Sequence, residues 1–570
     1  MEPGKRVGWS SLPQMMLELA AHRQDRPMLR HWHDKAWRRV TWGEFAHRVA
    51  AVATGLRAQG ISPGDRVLLV SENRPEFVIA DTALMAIGAV TVPTYTTNLP
   101  ADHAHILSDS GARAAIVSAA GLARRVMDGA ALAGGLDLLV TIDAFEAPGP
   151  RIVAWSELEA TPGDVQMLRA EAEQIPPGRL ACLIYTSGTG GAPKGVMLPH
   201  RAMLSNRAGV AQLADRLHFD GECYLSFLPL SHSYEHTVGG FLLPSLGVEV
   251  VYSRGADRIA AEFQEIKPAV VTAVPRLFEV LRARILAGVE KEGGFKAKLF
   301  HRALALGLRK MDGPPLGLLE RLQDAVLDRL VREKVRARFG GRLLCMVSGG
   351  ARLDPDLSGF FLALGLPVIQ GYGQTEAGPV ISVNVPWDNR RETVGAPLPG
   401  VEARIAEDGE LLVRGELVMD GYWNQPEATE KAIQDGWLHT GDIAEMEGAR
   451  IRITDRKRDF IKTLGGDMVS PAKLESLLMA EPEIAQAVVA GEGQPGIVAL
   501  VVPADGMEEK VAGAVARVNG KLATIERIRR TATVPPFTVD NGQLTPTMKV
   551  KRRVVLEAHK AQVEALHAKG

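Results

Sequence analysis

LACLIYTSGTGGAPKG, residues 180–195, is the stretch on which the reading of the fold turns. Its first half, Leu180 to Tyr185, is an unbroken apolar run, too short for a helix and ended by a glycine-rich loop. A run of that length reads as a strand buried on both faces, the kind found in parallel sheets. The adjoining loop offers the hydroxyls of Thr186, Ser187 and Thr189, the glycines Gly188, Gly190 and Gly191, and one cation, Lys194. Glycines let backbone N–H groups approach a polyphosphate closely, and a strand that feeds such a loop is phosphate-binding chemistry by composition. The loop is not a Walker A sequence, because Pro193 precedes Lys194 and Gly195 comes after it. A bare surface turn is the alternative, and it leaves three hydroxyls and a lysine without a purpose.

Working outward, short apolar runs alternate with amphipathic stretches over most of the chain. RVLLV (66–70) precedes a helical pattern from about Arg74 to Ile87, then AVTVP (89–93). Further strand-like runs are AAIVS (114–118), CYLSFL (223–228), VEVVY (248–252), AVVTAV (269–274), LLCMVS (343–348) and LPVIQ (366–370). This alternation predicts an α/β fold with mostly parallel sheets. After Val394 the texture changes, and GVEARIAEDGELLVRGELVM (400–419) reads as paired strands around a glycine turn. The basic run RIRITDRKRDFIK (450–462) then interrupts the pattern. The expected division is a large N-terminal domain, 1–457, of α/β subdomains plus a β-rich part, holding the nucleotide and substrate sites. A small α/β domain, 458–570, completes it.

The 570 residues contain 66 Lys+Arg and 67 Asp+Glu, without the basic excess of a nucleic-acid binder. Cys182, Cys223 and Cys345 lie in apolar runs with no C-x-x-C spacing, and read as buried thiols in a reducing compartment. MEPGKRVGWSSLPQMM lacks the apolar core of a signal peptide, HAKG matches no peroxisomal or lipidation signal, and no apolar stretch is long enough to span a bilayer. The expected location is the cytoplasm. The segment 296–342 is helical in pattern and basic, with 12 Lys/Arg against 5 Asp/Glu. It reads either as a solvated helix pair or as a face meeting the inner surface of an anionic membrane.

Four further segments carry chemistry. In QGYGQTEAG (370–378) a tyrosine flanked by glycines can offer a flat face to a base, and Glu376 beside Thr375 can hold Mg²⁺ against phosphates. In WLHTGD (437–442) a carboxylate comes after a glycine turn, a common grip for a ribose. DRKRDFIK (455–462) with Gly465 and Gly466 falls at the composition boundary, and LTPTMKVKR (544–552) lies near the C-terminus. Loop and segments, in this order and over most of the chain, resemble the adenylate-forming superfamily of acyl-CoA synthetases, luciferases and peptide-synthetase adenylation domains.

The resemblance implies a fold of that kind with a small mobile C-terminal domain, and it implies roles. Thr186, Ser187, Gly188, Thr189, Gly190, Gly191 and Lys194 would hold ATP phosphates, although the family usually has a second Ser or Thr at Gly190. Gly349, Gly350 and Ala351 would form the adenine-side loop, joined by Gln370, Gly371, Tyr372 and Gly373, with Tyr372 stacked on adenine. Thr375 would contact the α-phosphate and Glu376 the Mg²⁺. Asp442 and Arg456 would grip the ribose. Arg458, where Lys or Asp is more usual, would be the hinge, Gly465 and Gly466 would serve the coenzyme A step, and Lys549 would be the catalytic lysine.

LPLSH (228–232), VPRLFE (274–279) and the helical insertion before Val347 resemble the long-chain fatty acyl-CoA synthetase branch. His232 and Gly350 would then line the acyl tunnel, with fatty acid, ATP and coenzyme A as substrates. Acyl-AMP ligases and ligases of medium-chain or aromatic acids are the near alternatives. A different class is raised by His232-Ser-Tyr-Glu235-His236, which matches the H-x-x-E-H pattern of zinc hydrolases.

Overall fold

The computed structural model describes residues 8–186, 192–217, 219, 221–255, 257–457, 461–465, 468–545 and 550–568. Among the described residues two large mixed sheets, of nine and eight strands, dominate the N-terminal part. The eight-stranded sheet has a parallel core ordered Leu180–Thr186, Val90–Pro93, Arg66–Val70, Ala114–Val117, Leu138–Thr141 and Arg151–Ala154. Apart from the edge strand Arg151–Ala154, these strands are almost wholly buried, as the continuous apolar runs require. Helix Pro75–Ala86 is buried all round, without a polar face, because it lies within the core between layers.

The nine-stranded sheet has a parallel core ordered Val368–Gly373, Cys345–Ser348, Val270–Ala273, Cys223–Ser226, Glu249–Tyr252 and Pro27–His33. Antiparallel strands close it at both edges. From Cys223–Ser226 the chain steps to Glu249–Tyr252 on one side and then to Val270–Ala273 on the other. Strand order reverses there, and such a switch point opens a crevice beyond the carboxyl ends of the strands.

The stretch after Val394 forms the antiparallel pair Glu402–Ile405 and Glu410–Arg414 around Gly409 at φ +83°. It joins Trp437–Glu447 and Arg450–Arg456 in a five-stranded sheet. The C-terminal part is smaller and has its own three-stranded sheet, Ile484–Ala490, Ile497–Pro503 and Ile528–Thr533. Helices Pro471–Met479 and Val511–Asn519 cover one face, and Val555 of helix Arg552–Ala558 packs on the other. Segment 296–342 is helical, in helices Gly294–Asp312, Leu318–Leu327 and Glu333–Arg338. Cys182 and Cys345 are buried free thiols, while Cys223 is half-buried, its thiol 3.4 Å from a Glu249 carboxylate oxygen. No helix of the described residues is long and apolar enough to cross a membrane.

Candidate active site

A cavity of about 1200 Å³ opens at the carboxyl ends of the parallel strands of the nine-stranded sheet. Its lining includes residues at or just beyond the ends of three of them: His232, Ser233 and Tyr234 after Cys223–Ser226, Gly349 and Gly350 after Cys345–Ser348, and Gln374, Thr375 and Glu376 after Val368–Gly373. One end is polar, and the other is walled by Val210, Leu213, Leu217, Val238, Leu242 and Leu243. The volume exceeds what a single drug-sized ligand needs and suits a nucleotide together with an apolar chain.

Gly371, Tyr372 and Gly373 end their strand at a register shift against Val380–Val383. A Cβ on Gly373 would stand 1.9 Å from the Pro379 carbonyl oxygen, which admits only glycine there. Tyr372 is thereby aimed at the five-stranded sheet, where its hydroxyl donates to Asp442 Oδ2 at 2.6 Å. Asp442 and Arg456 are directly opposed across two antiparallel strands, and Arg456 Nε donates to Asp442 Oδ1 at 3.2 Å. Burial, then the Asp442 carboxylate, raises the Tyr372 phenol well above its ordinary range. It therefore stays a neutral donor.

The strands on either side of the glycine-rich loop, Leu180–Thr186 and Lys194–Pro199, pair as an antiparallel hairpin, with Thr186 opposite Lys194. Ser187, Gly188, Thr189, Gly190 and Gly191 lie outside the described residues. The hairpin is tied from below: Tyr185 donates to Asp109 Oδ2 at 2.6 Å, and His105 Nε2 donates to the Pro193 carbonyl at 2.8 Å. Lys194 Nζ sits 4.7 Å from the centre of the Tyr422 ring, a cation–π contact, while the Tyr422 hydroxyl donates to Glu376 Oε1 at 2.8 Å. One phenol thus brackets the lysine and the carboxylate, and Thr186, Lys194 and Glu376 all face the cavity. Thr375 Oγ1 is 2.8 Å from Ser233 Oγ.

Other expected residues sit elsewhere. Gln370 is buried under the loop, where its Oε1 accepts from the Leu353 N–H at 2.5 Å, and neither it nor Ala351 is among the cavity-lining residues. Gly465 is exposed in the turn after Ile461–Lys462, apart from the cavity. Arg458, Gly466 and Lys549 lie outside the described residues. Lys457 is exposed, yet its ammonium is held by two carboxylates. It pairs with Asp408 and, at 2.9 Å, with Glu410 Oε2, and it lines the cavity.

Sequence reasoning did not find Glu410, His439, Tyr422 or Ser233. Glu410 is buried and accepts from Lys457, from the Gly441 N–H at 2.8 Å and from His439 Nδ1 at 3.1 Å, which fixes the turn that presents Asp442. Its carboxyl is held below the usual range by those donors, against the opposing effect of burial.

At the apolar end, His232 caps helix Ser233–Thr237 with Nδ1 accepting from the Tyr234 N–H at 3.2 Å. The backbone then widens into a π turn, Val238–Leu242. Tyr234 lies over Gly349, where a Cβ would meet its ring at 2.9 Å, and Gly350 comes next at φ +76°.

The H-x-x-E-H side chains diverge. His236 Nε2 faces Asp81 Oδ2 at 2.9 Å, and Glu235 is caged by the hydroxyls of Ser226 (2.6 Å), Tyr224 (2.6 Å) and Thr272 (3.0 Å). His232 is the cap. No group of three His, Cys, Asp or Glu among the described residues is placed to hold a metal ion. The zinc-hydrolase reading therefore fails on geometry.

Known proteins resemble this chain along nearly its full length. The family model described as AMP-binding enzyme matches residues 17–423, and that described as AMP-binding enzyme C-terminal domain matches 458–570. The long-chain-fatty-acid--CoA ligase FadD15 of Mycobacterium tuberculosis is 36% identical over 94% of this chain and 93% of its own length. The peroxisomal long chain acyl-CoA synthetase 7 of Arabidopsis thaliana is 30% identical over 90% of this chain and 79% of its own length. Among solved structures, the A-PCP didomain of a carboxylic acid reductase from Segniliparus rugosus, in complex with AMP, shares the fold with a TM-score of 0.76. It is 20% identical and covers 100% of this chain and 83% of that one. On the match to the family's two models and the identity to ligases along nearly its full length, the chain belongs to the AMP-binding, adenylate-forming enzymes, in their long-chain fatty acyl-CoA ligase branch.

Proposed function

We propose that the chain activates a long-chain fatty acid with ATP as acyl-AMP, releasing pyrophosphate, and then transfers the acyl group to coenzyme A, releasing AMP. The observation that carries this is the single cavity with an acid-and-lysine end beside an apolar end, built around Tyr372, Asp442, Glu376 and Lys194. In this reading Tyr372 and Asp442 receive the adenosine, and Arg456 steadies the carboxylate that accepts from the ribose. Thr186, Lys194 and the loop face the phosphates, and Thr375 is the α-phosphate contact.

The donor set fits Mg²⁺, a hard cation that takes oxygen ligands. Glu376 offers a carboxylate to the cavity beside the Thr375 hydroxyl, and bound Mg²⁺ would neutralise developing charge on the departing phosphates. No protein base is needed for the first half, because a carboxylic acid of pKa about 4–5 is already ionised at neutral pH. Lys549 supplies the second cation to that half. In the second half the thiol attacks the mixed anhydride and the hinge at Arg458 presents Gly465 and Gly466. The reaction runs in the cytoplasm, where all three substrates meet.

The test is pyrophosphate release from ATP and Mg²⁺ over acids from acetate to oleate, with and without coenzyme A. Turnover on long acids that requires coenzyme A is expected. Activity confined to short or aromatic acids would overturn the substrate assignment, and sustained turnover without coenzyme A would point to acyl-AMP as the final product.

A further inference from the structure

Helix Leu318–Leu327 turns its acidic residues inward and all of its leucines but Leu327 outward. Glu320, Asp324 and Asp328 recur every fourth residue and therefore share a face. That face is turned to the protein: Glu320 pairs with Arg309, Asp324 lies 2.7 Å from the Arg332 guanidinium, and Asp328 pairs with Arg336 at 2.8 Å. Leu316 and Leu327 close the inner side against Ala303 and Leu306. The other side presents Leu318, Leu319, Leu322, Val326 and, a turn later, Leu330, exposed by 85%, 84%, 66%, 49% and 46%. At α-helical spacing Leu318, Leu319, Leu322 and Val326 fall within an arc of about 100°, and Leu330 comes in the π turn Asp328–Arg332 that continues the helix. Apolar residues exposed singly are ordinary, but four on one helical face with a fifth in the next turn form a patch that needs an occupant.

Charge says which occupant. Segment 296–342 holds 12 Lys/Arg against 5 Asp/Glu in a chain of net charge −1. Of those acids, all but Glu333 are in ion pairs. Arg329 and Lys334, which flank the end of the leucine face in sequence, are exposed and have no acidic partner among the described residues. A second copy would set one basic segment against another. An anionic surface with an apolar interior matches both properties at once.

We propose that the Leu318–Leu330 face docks on an anionic bilayer, its leucines at the acyl-chain boundary and Arg329 and Lys334 at the lipid phosphates. The docking surface shares no residue with the cavity lining and does not depend on which acid is activated.

The test uses the full chain, without substrate, and vesicles of phosphatidylcholine alone or mixed with phosphatidylglycerol. The wild type is expected to sediment with the mixed vesicles, weakened but not released at high salt, because apolar insertion is not screened. The double variant Leu319→Asp/Leu322→Asp is expected to lose more than about tenfold in partitioning at an unchanged melting temperature. Leu322→Trp should shift its emission to shorter wavelength only when those vesicles are added. The proposal is overturned by equal binding of the double variant, by an absence of wild-type binding, or by an unshifted tryptophan. A wild-type dimer in light scattering that the double variant abolishes would also overturn it, by giving the face to a second copy.

Discussion

Asp442 is the residue on which most of the polar end converges, since Tyr372 and Arg456 both donate to it and the Glu410 cluster shapes its turn. If it receives a ribose, Asp442→Ala removes a charged acceptor worth about 1.5–3 kcal/mol. The KM for ATP should rise roughly ten- to a hundredfold, while the KM for the acid changes little. Equal changes in both constants would assign Asp442 to structure.

Glu235 gives a second residue-scale prediction. Burial lifts its carboxyl from 4.5 to about 7, although Ser226, Tyr224 and Thr272 donate to its ionised form and oppose the rise. Between those two values the folded chain keeps a proton that the unfolded chain has lost. Stability from this group is therefore full at low pH and falls as pH rises through the window, by roughly 3 kcal/mol in all. Glu235→Gln should lack that fall, so its melting temperature should gain on the wild type from pH 5 to pH 7. Parallel profiles would sink the assignment. This cage was illegible in the sequence, because its hydroxyls come from two strands whose pairing no local pattern reveals. The same short motif that suggested zinc is in fact a cap, a caged acid and a buried histidine. Tyr372, Thr375, Glu376 and Asp442, by contrast, were legible, because each sits in a glycine-punctuated motif.

Helix Gly294–Asp312 is docked through one close approach. A Cβ on Gly307 would lie 2.5 Å from the Ala363 carbonyl oxygen and 2.8 Å from its Cα, at the end of helix Pro355–Ala363. Backbone cannot swing aside as a side chain can, and Gly307→Ala should destabilise by about 1–3 kcal/mol, read as a lower denaturant midpoint. An unchanged midpoint would mean that the two helices slide apart at no cost. The parallel strands were legible because strands buried on both faces are continuous apolar runs, and the observed ends fall within a few residues of those expected. The hairpin Pro27–His33 and Ala36–Thr41 was not. Its turn places Asp34 and Lys35 at φ +50° and +59° without the usual Asn-Gly, and its faces alternate aromatic and charged residues that mimic a loop. The basic run from Arg450 misled in a similar way: Arg450–Arg456 is a strand of the five-stranded sheet, its charges paired across to Glu445, Glu447, Asp442 and Asp388.

Among the described residues the larger N-terminal part carries the cavity, and the smaller C-terminal part has its own buried clusters around the sheet of Ile484–Ala490, Ile497–Pro503 and Ile528–Thr533. If the smaller unit serves the two half-reactions in different orientations, residues on it should separate them, and opposite lesions should give opposite phenotypes. Lys549→Ala should depress acyl-AMP formation by a hundredfold or so, the scale of losing one charge-stabilising group, while thioester formation from supplied acyl-AMP persists. Arg458→Pro fixes one backbone torsion and removes an N–H between strands Arg450–Arg456 and Ile461–Lys462. It should spare acyl-AMP formation and depress thioester formation. Damage to the fold is distinguished by the melting temperature and by the first half-reaction itself, since a chain that still makes acyl-AMP at the wild-type rate has an intact large domain. If each variant loses both half-reactions equally, the two units act as one rigid body and the separation of roles between Lys549 and Arg458 is wrong.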